Sequence, residues 1–327
     1  MAKVKIIQCT LCPKECKLYD GQKGDCRVRI HLDGKLQTLV HSRPCAVHVD
    51  PIEKKPVYHM MPGSRAYSIA TAGCNLHCKF CQNWEISQKD PEETTNYFLP
   101  PKNVVNNALT SGSKSIAYTY SDPNVFYEYV LDTAKLAKKA GLKNIVISAG
   151  YINPEPLKEL SEFLDIYKVD LKAFNNKFYQ EICSGTLQPV LETLKNLKKW
   201  GVFTEIVNLI IPTLNDSLPE IRKMCKWIKS ELGNDVPIHF SQFHPQYKLK
   251  NLPPTPLDTL MQARKIAVEE GLSYVYLGNI PQGEWNNTYC PNCKNLLIER
   301  IGYFVRQVQI RNGLCNFCKF KIAGIWE

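Results

Sequence analysis

Two hydrophobic patterns alternate along residues 66–279. Short apolar runs, rich in Ile, Val, Tyr and Phe, fill 66–72, 115–120, 144–149, 166–171, 202–211, 238–243 and 274–277. Each predicts a strand. Between them, apolar residues recur three or four apart at 103–111, 125–140, 156–163, 190–200, 218–232 and 257–270, and predict amphipathic helices. Gly112, Gly141, Gly201, Gly233 and Gly271 stand where such helices stop, because a left-handed C-cap favours glycine.

Strands that alternate with helices of this length pair in parallel through βαβ crossovers. About six such units predict an α/β fold, a partial (β/α)6 TIM-like barrel. A doubly wound sheet is the alternative, and no glycine-rich phosphate loop supports it. In barrels the chemistry sits at the C-terminal ends of the strands. The polar residues that fall there are Cys74, Ser121, Asp122, Ser148, Asp170, Lys172, Asn208 and His244. Prolines punctuate 44–62 and 252–256, which read as connections.

The fourteen cysteines change the picture most. Cys74, Cys78 and Cys81 stand in the spacing C-x3-C-x2-C, with Phe80 before the third. Three thiolates on one short loop suit three irons of a [4Fe–4S] cube, whereas four-thiolate ligation is usual. The next cysteine in sequence is Cys183, so the fourth iron is open to a ligand that is not protein. A zinc site completed by His77 is the alternative, although ligands this crowded differ from paired CxxC knuckles. Near the C-terminus, Cys290-Pro-Asn-Cys293 and Cys315-Asn-Phe-Cys318 bracket a short hairpin. This is a zinc-ribbon pattern, with a second iron–sulfur cluster as the rival. At the other end, Cys9, Cys12, Cys16 and Cys26 form one further metal site. Spacing does not separate zinc from a second iron–sulfur cluster there, and zinc is the reading we take. Cys45, Cys183 and Cys225 are read as ordinary thiols.

These features divide the chain into an N-terminal Cys-rich segment (1–65), a core barrel (66–279) and a C-terminal ribbon (280–327). The net charge of +10 is uneven. Residues 1–65 carry 12 Lys and Arg against 6 Asp and Glu, and residues 280–327 carry 6 against 3, while the core is almost neutral. A basic excess on both appendages suits an acidic partner: an electron-donor protein, a substrate protein or nucleic acid. The first residues are too short and polar for a signal peptide, and no apolar run reaches membrane-spanning length. Many cysteines without a secretory signal point to metal ligation in a reducing cytoplasm.

Further motifs run through almost the whole chain in order. They include Asp50-Pro-Ile-Glu-Lys-Lys-Pro56, Pro62-Gly63-Ser64, Ala117-Tyr-Thr-Tyr-Ser-Asp-Pro123, Gly150-Tyr-Ile-Asn-Pro-Glu-Pro156, Val169-Asp-Leu-Lys-Ala-Phe174, Ile211-Pro-Thr-Leu-Asn-Asp216 and Phe243-His-Pro-Gln-Tyr-Lys248. With the cysteine loop, they resemble the AmmeMemoRadiSam-system radical S-adenosylmethionine (SAM) enzymes, relatives of pyruvate formate-lyase activating enzymes. The resemblance implies a [4Fe–4S] cluster on Cys74, Cys78 and Cys81 whose open iron binds SAM. It implies reductive cleavage of SAM to methionine and a 5′-deoxyadenosyl radical, which takes hydrogen from a substrate. It places Phe80 beside the adenine, and Ser121 and Asp122 where relatives hold the SAM amine, with Asp where a Glu is expected. Ser148 falls at the ribose or carboxylate, Lys172 at the SAM carboxylate with Asp170 steadying it, and Asn208 and His244 near ribose or adenine. It leaves the catalytic residues beyond these unassigned. A ferredoxin or flavodoxin would be the acidic donor. The substrate is open between a glycine on a protein, a small molecule, lipid or cofactor, and nucleic acid.

Overall fold

The computed structural model describes residues 6–280 and 283–327. Its centre is one eight-stranded sheet made of β1 (Ala46–Pro51), β2 (Arg65–Ala70), β3 (Ser115–Tyr118), β4 (Lys143–Ser148), β5 (Ile166–Asp170), β6 (Phe203–Ile210), β7 (Ile238–Gln242) and β8 (Val275–Gly278). The strands neighbour one another in chain order from β1 to β8. β2 to β8 are parallel, and β1 joins the edge antiparallel to β2 with Ala46 opposite Ala70.

Sequential order excludes the doubly wound alternative, which needs a point where the order reverses. Six helices make the crossovers: α1 (Pro101–Thr110), α2 (Tyr127–Lys139), α3 (Pro154–Ser161), α4 (Gln188–Lys199), α5 (Leu218–Leu232) and α6 (Leu257–Glu269). Each lies within two residues of its expected place. The helices bury one stripe each; α4, for instance, sinks Val190, Leu191, Leu194 and Leu197 against the sheet. Truncating one of these leucines to alanine costs roughly 2–5 kcal/mol. On the other face the sheet curls, so that residues after or near the end of every parallel strand line one cavity. That shared concavity is the partial barrel.

The proline-bounded stretch 44–62 is a connection only in part. It supplies β1, and then a lid of apolar residues under the barrel: Ile52, Val57 and Met60 pack with Ala66, Ala117, Ile145 and Ile166. The C-terminal tail closes the same end, where Met61 N donates to Ile325 O at 2.8 Å. The N-terminal segment forms two small hairpins, Ile7–Gln8 with Lys17–Leu18 and Arg29–Leu32 with Lys35–Thr38. The ribbon is a three-stranded antiparallel sheet of Thr288–Tyr289, Leu296–Ile301 and Phe304–Val308. It shares its small core with Tyr58, Tyr274 and Tyr276 of the barrel. Among the described residues, no helix is long and apolar enough to cross a membrane.

Candidate active site and metal centres

The loop after β2 has to pass close under the N-terminal segment. A Cβ on Gly73 would lie 2.4 Å from Cys26 O and 2.5 Å from a Val28 methyl, and its φ is +87°, so only glycine fits. The loop then presents Cys74, Cys78 and Cys81 to a cavity of about 550 Å³. Leu76 N donates to Cys74 Sγ at 3.4 Å, and Cys81 Sγ pairs with Ser87 Oγ at 3.1 Å. Burial pushes the Cys74 thiol far up, and a hydrogen bond with Cys183 followed by burial does so for Cys78. Thiols this buried become thiolates only with a metal to compensate. Among the described residues the three thiols face one cavity with no fourth cysteine in its lining, and this donor set fits the cluster expected there.

His77 does not complete a zinc site. Its Nδ1 contacts Gln88 Oε1 at 2.8 Å and its Nε2 contacts Asp25 at 3.1 Å, so both nitrogens are engaged elsewhere. Cys183 is the residue that sequence reasoning missed. It ends a π-helical turn, Tyr179–Cys183, whose carbonyls anchor the loop: His77 N donates to Cys183 O and Lys79 N to Ile182 O, both at 2.9 Å. No sequence signal placed it beside Cys78, about a hundred residues earlier.

Several expected ligand residues do line the cavity: Phe80, Ser121, Asp122, Ser148, Asp170 and Lys172. Their freedom differs. Ser121 Oγ is buried without a partner, which is costly unless a ligand supplies one. Asp122 is already committed. Its carboxylate accepts from Asn124 N at 3.0 Å, Ala149 N at 2.9 Å and Ser148 Oγ at 2.9 Å, and burial raises its pKa. Ser148 in turn accepts from Asn124 Nδ2 and Gly150 N, both at 2.9 Å. The pair therefore braces the ends of β3 and β4 and leaves little capacity for a ligand. Lys172 Nζ lies 3.6 Å from Asp170 and 5.5 Å from the Phe80 ring centre. Burial disfavours its charge, but the nearby Cys78 and Asp170 charges outweigh that and raise its pKa well above the usual value.

Two expectations are corrected. Asn208 points away from the cavity, because its neighbours Val207 and Leu209 line it and side chains alternate along a strand. It donates instead to Leu171 O at 2.7 Å. His244 lies beyond β7, exposed, with Nε2 3.3 Å from Asn279 O, and does not line the cavity.

The cavity lining carries charge to which the motif reading gave no role. Lys168, two residues before Asp170 on the same strand face, bonds that carboxylate from the other side. Opposite, Asp50 accepts from Lys55 at 2.6 Å, Lys54 at 2.9 Å and Tyr120 OH at 2.5 Å. Lys55 also contacts Tyr120 OH at 2.9 Å, and burial lowers its pKa to about 8.

The ribbon cysteines form a compact tetrahedron. Cys290 and Cys318 sulfurs are 3.6 Å apart, those of Cys293 and Cys315 3.7 Å, and all four lie within 4.8 Å of one another. Four sulfurs at the zinc–thiolate distance would be about 3.8 Å apart. The geometry is consistent with a zinc ribbon. An iron–sulfide cube would push them well outside these separations.

Several known proteins are similar to this chain. The sequence profile of the Radical SAM superfamily matches residues 68–228. The chain is 42% identical to an uncharacterized protein of Methanocaldococcus jannaschii, over 97% of this chain and 95% of that protein. It is 27% identical to a pyruvate formate-lyase-activating enzyme of Clostridium pasteurianum, over 58% of this chain and 84% of the relative. Among solved structures, a radical SAM methyltransferase from Sphaerobacter thermophilus superposes with a TM-score of 0.52 at 13% identity, over 67% of each chain. That likeness concerns the fold alone.

Proposed function

We propose a specific role for this chain, an enzyme that belongs to the radical SAM superfamily: it cleaves SAM reductively and uses the resulting carbon radical to take hydrogen from a substrate held in the barrel. The carrying observation is the convergence of Cys74, Cys78 and Cys81 with Ser121, Asp170 and Lys172 on one 550 Å³ cavity at the C-terminal strand ends. When bound, the cluster and SAM supply the one-electron chemistry; the protein supplies binding, orientation and exclusion of water. Lys172 is the ammonium placed for the SAM carboxylate, with Asp170 fixing its position. Ser121 offers a hydroxyl, and Phe80 an apolar wall. Asp122 and Ser148 hold the frame.

An activating-enzyme-like reaction, with hydrogen taken from a glycine of a partner protein, draws support from the Asp170-Leu-Lys172 triplet and from the likeness to activating enzymes. A small polar substrate is the second reading, favoured by Lys55, Tyr120 and Lys168 in the cavity lining, with Asp50 bonded to Lys55 behind it. Assignment to the AmmeMemoRadiSam system and the division at residues 65 and 279 belong to the same proposal. So do zinc in the ribbon, a ferredoxin or flavodoxin donor at the basic appendages, and a cytoplasmic setting. Isotope tracing separates the substrate readings. Deuterium placed on glycine α-carbons of a co-encoded protein should appear in 5′-deoxyadenosine if the first holds. Deuterium arriving only from a small molecule supports the second, and none from either source refutes both.

A further inference from the structure

We propose that Cys9, Cys12, Cys16 and Cys26 hold a second iron–sulfur cluster that passes electrons to the cluster on the Cys74 loop, an inference that rests on the radical SAM reading above. The quartet is a built site. The first hairpin sets Cys9 against Cys16, with Cys9 N donating to Cys16 O at 2.9 Å, and Asp25 N reaches Cys16 Sγ at 3.5 Å. All four cysteines line one small enclosed space.

Size decides which metal suits it. Among the described residues, the ribbon quartet is the set whose ligand atoms all lie within 4.8 Å of one another; the N-terminal sulfurs do not draw in that far. Together with Leu11, Lys14, Asp25 and Asn75 they line a small void of about 10 Å³. The wider shell is what a [4Fe–4S] cube requires, and four thiolates are its usual ligands. The zinc reading taken from the spacing therefore gives way to iron–sulfur.

Position decides the role. Gly73 abuts Cys26, and Asn75 lines the N-terminal void while its Nδ2 donates to Tyr151 O at 2.7 Å. Cys74, the residue between them, faces the large cavity. The two centres are thus separated by one stretch of backbone. Cys12 and Cys16 are only half-buried, which opens the outer centre to a docking partner. In the relay, a one-electron donor protein of the ferredoxin or flavodoxin class reduces the outer cluster by one electron. That electron moves to the inner cluster, and the outer one returns to its oxidised state.

The test is metal analysis after anaerobic reconstitution of the full chain with iron and sulfide, with EPR of the dithionite-reduced protein. The wild type should hold about eight irons and eight sulfides, and the Cys74/Cys78/Cys81→Ala variant about four of each with a reduced-cluster EPR signal. Should that variant not fold, Cys16→Ser alone should halve the iron while the ribbon metal stays. Cys16→Ser should also lose SAM cleavage at least tenfold with a protein donor but much less with dithionite, a split that a merely structural role would not give. Zinc in place of iron in the triple variant, or neither metal, overturns the inference. If the radical SAM reading alone fails, the wild type holds about four irons and all of them survive the triple substitution.

Discussion

The two cysteine-rich appendages look alike in sequence and differ in three dimensions. Each is basic, each carries a clustered quartet of cysteines, and each fixes itself to the barrel with one buried arginine. The ribbon draws its sulfurs to 3.6–3.7 Å pairs and shares a core of tyrosines with the barrel wall. Its Arg300 is wholly enclosed: it donates to Tyr58 O at 2.8 Å, sits 4.0 Å from the Tyr58 ring centre, and approaches Glu53 at 3.8 Å. The N-terminal quartet stays open around a void and leans on the catalytic loop at Gly73 and Asn75. Its Arg29 pairs with a half-exposed Glu128 at 2.8 Å. The ribbon is thus built as a staple, and the proposed second cluster would make the N-terminal segment a port. Cysteine spacing alone does not tell the two quartets apart; the packing around the sulfurs does.

The largest expected effect lies in the staple. Cys315→Ser should release the ribbon metal and, on the order of 10 kcal/mol, the folding energy coupled to it. Hydrogen exchange over residues 288–327 should rise towards that of an unfolded chain while the parallel core keeps its protection. A ribbon that stays protected would mean it folds without metal.

Next come the two arginines. Arg300→Met leaves Glu53 buried without its partner, and should cost about 3–5 kcal/mol in denaturant unfolding. Arg29→Met should cost about 1 kcal/mol or less, since water screens Glu128. Equal costs would break the contrast between staple and port.

Smaller still is the acid sensitivity of the ribbon dock. His59 lies between barrel and ribbon, with Nδ1 2.7 Å from Ala323 O and Nε2 2.7 Å from Tyr276 OH. Burial lowers its pKa from 6.5 to about 4. The folded state refuses a proton that the unfolded chain accepts, so this stabilisation is intact above the unfolded value and is lost as pH falls towards 4. Between pH 7 and pH 5 the loss should be about 2 kcal/mol. His59→Gln should flatten that slope in unfolding curves at the two pH values.

The smallest effect belongs to Cys183, whose thiol helps push the Cys78 thiol up. Hydrogen bonds to ligand sulfurs help set cluster potentials. Cys183→Ala should move the reduction potential of the inner cluster by tens of millivolts without loss of iron, as read by EPR-monitored titration. An unchanged potential would leave Cys183 a packing residue.

The parallel core was legible because period-2 and period-3.6 patterns alternate cleanly and glycine ends the helices. β1 was hidden by prolines 44, 51 and 56, which read as loop although Pro51 closes an edge strand. Asn208 was misplaced for a related reason. β6 is apolar on both faces, so its sequence gives no parity, and the inner face proves to be the one with Glu205, Val207 and Leu209. Lys168 was readable, since it precedes Asp170 by two on one strand. Cys183 beside Cys78 and Asp50 beside Tyr120 were not, because each pairing is made by folding distant segments together.

The most direct test of the account is SAM cleavage by the anaerobically reconstituted protein with dithionite, read as 5′-deoxyadenosine by mass spectrometry. The wild type should form it, and the Cys74/Cys78/Cys81→Ala variant should form none above background while retaining its ribbon metal. A wild-type protein that takes up no iron at these cysteines and binds no SAM would contradict the central claim.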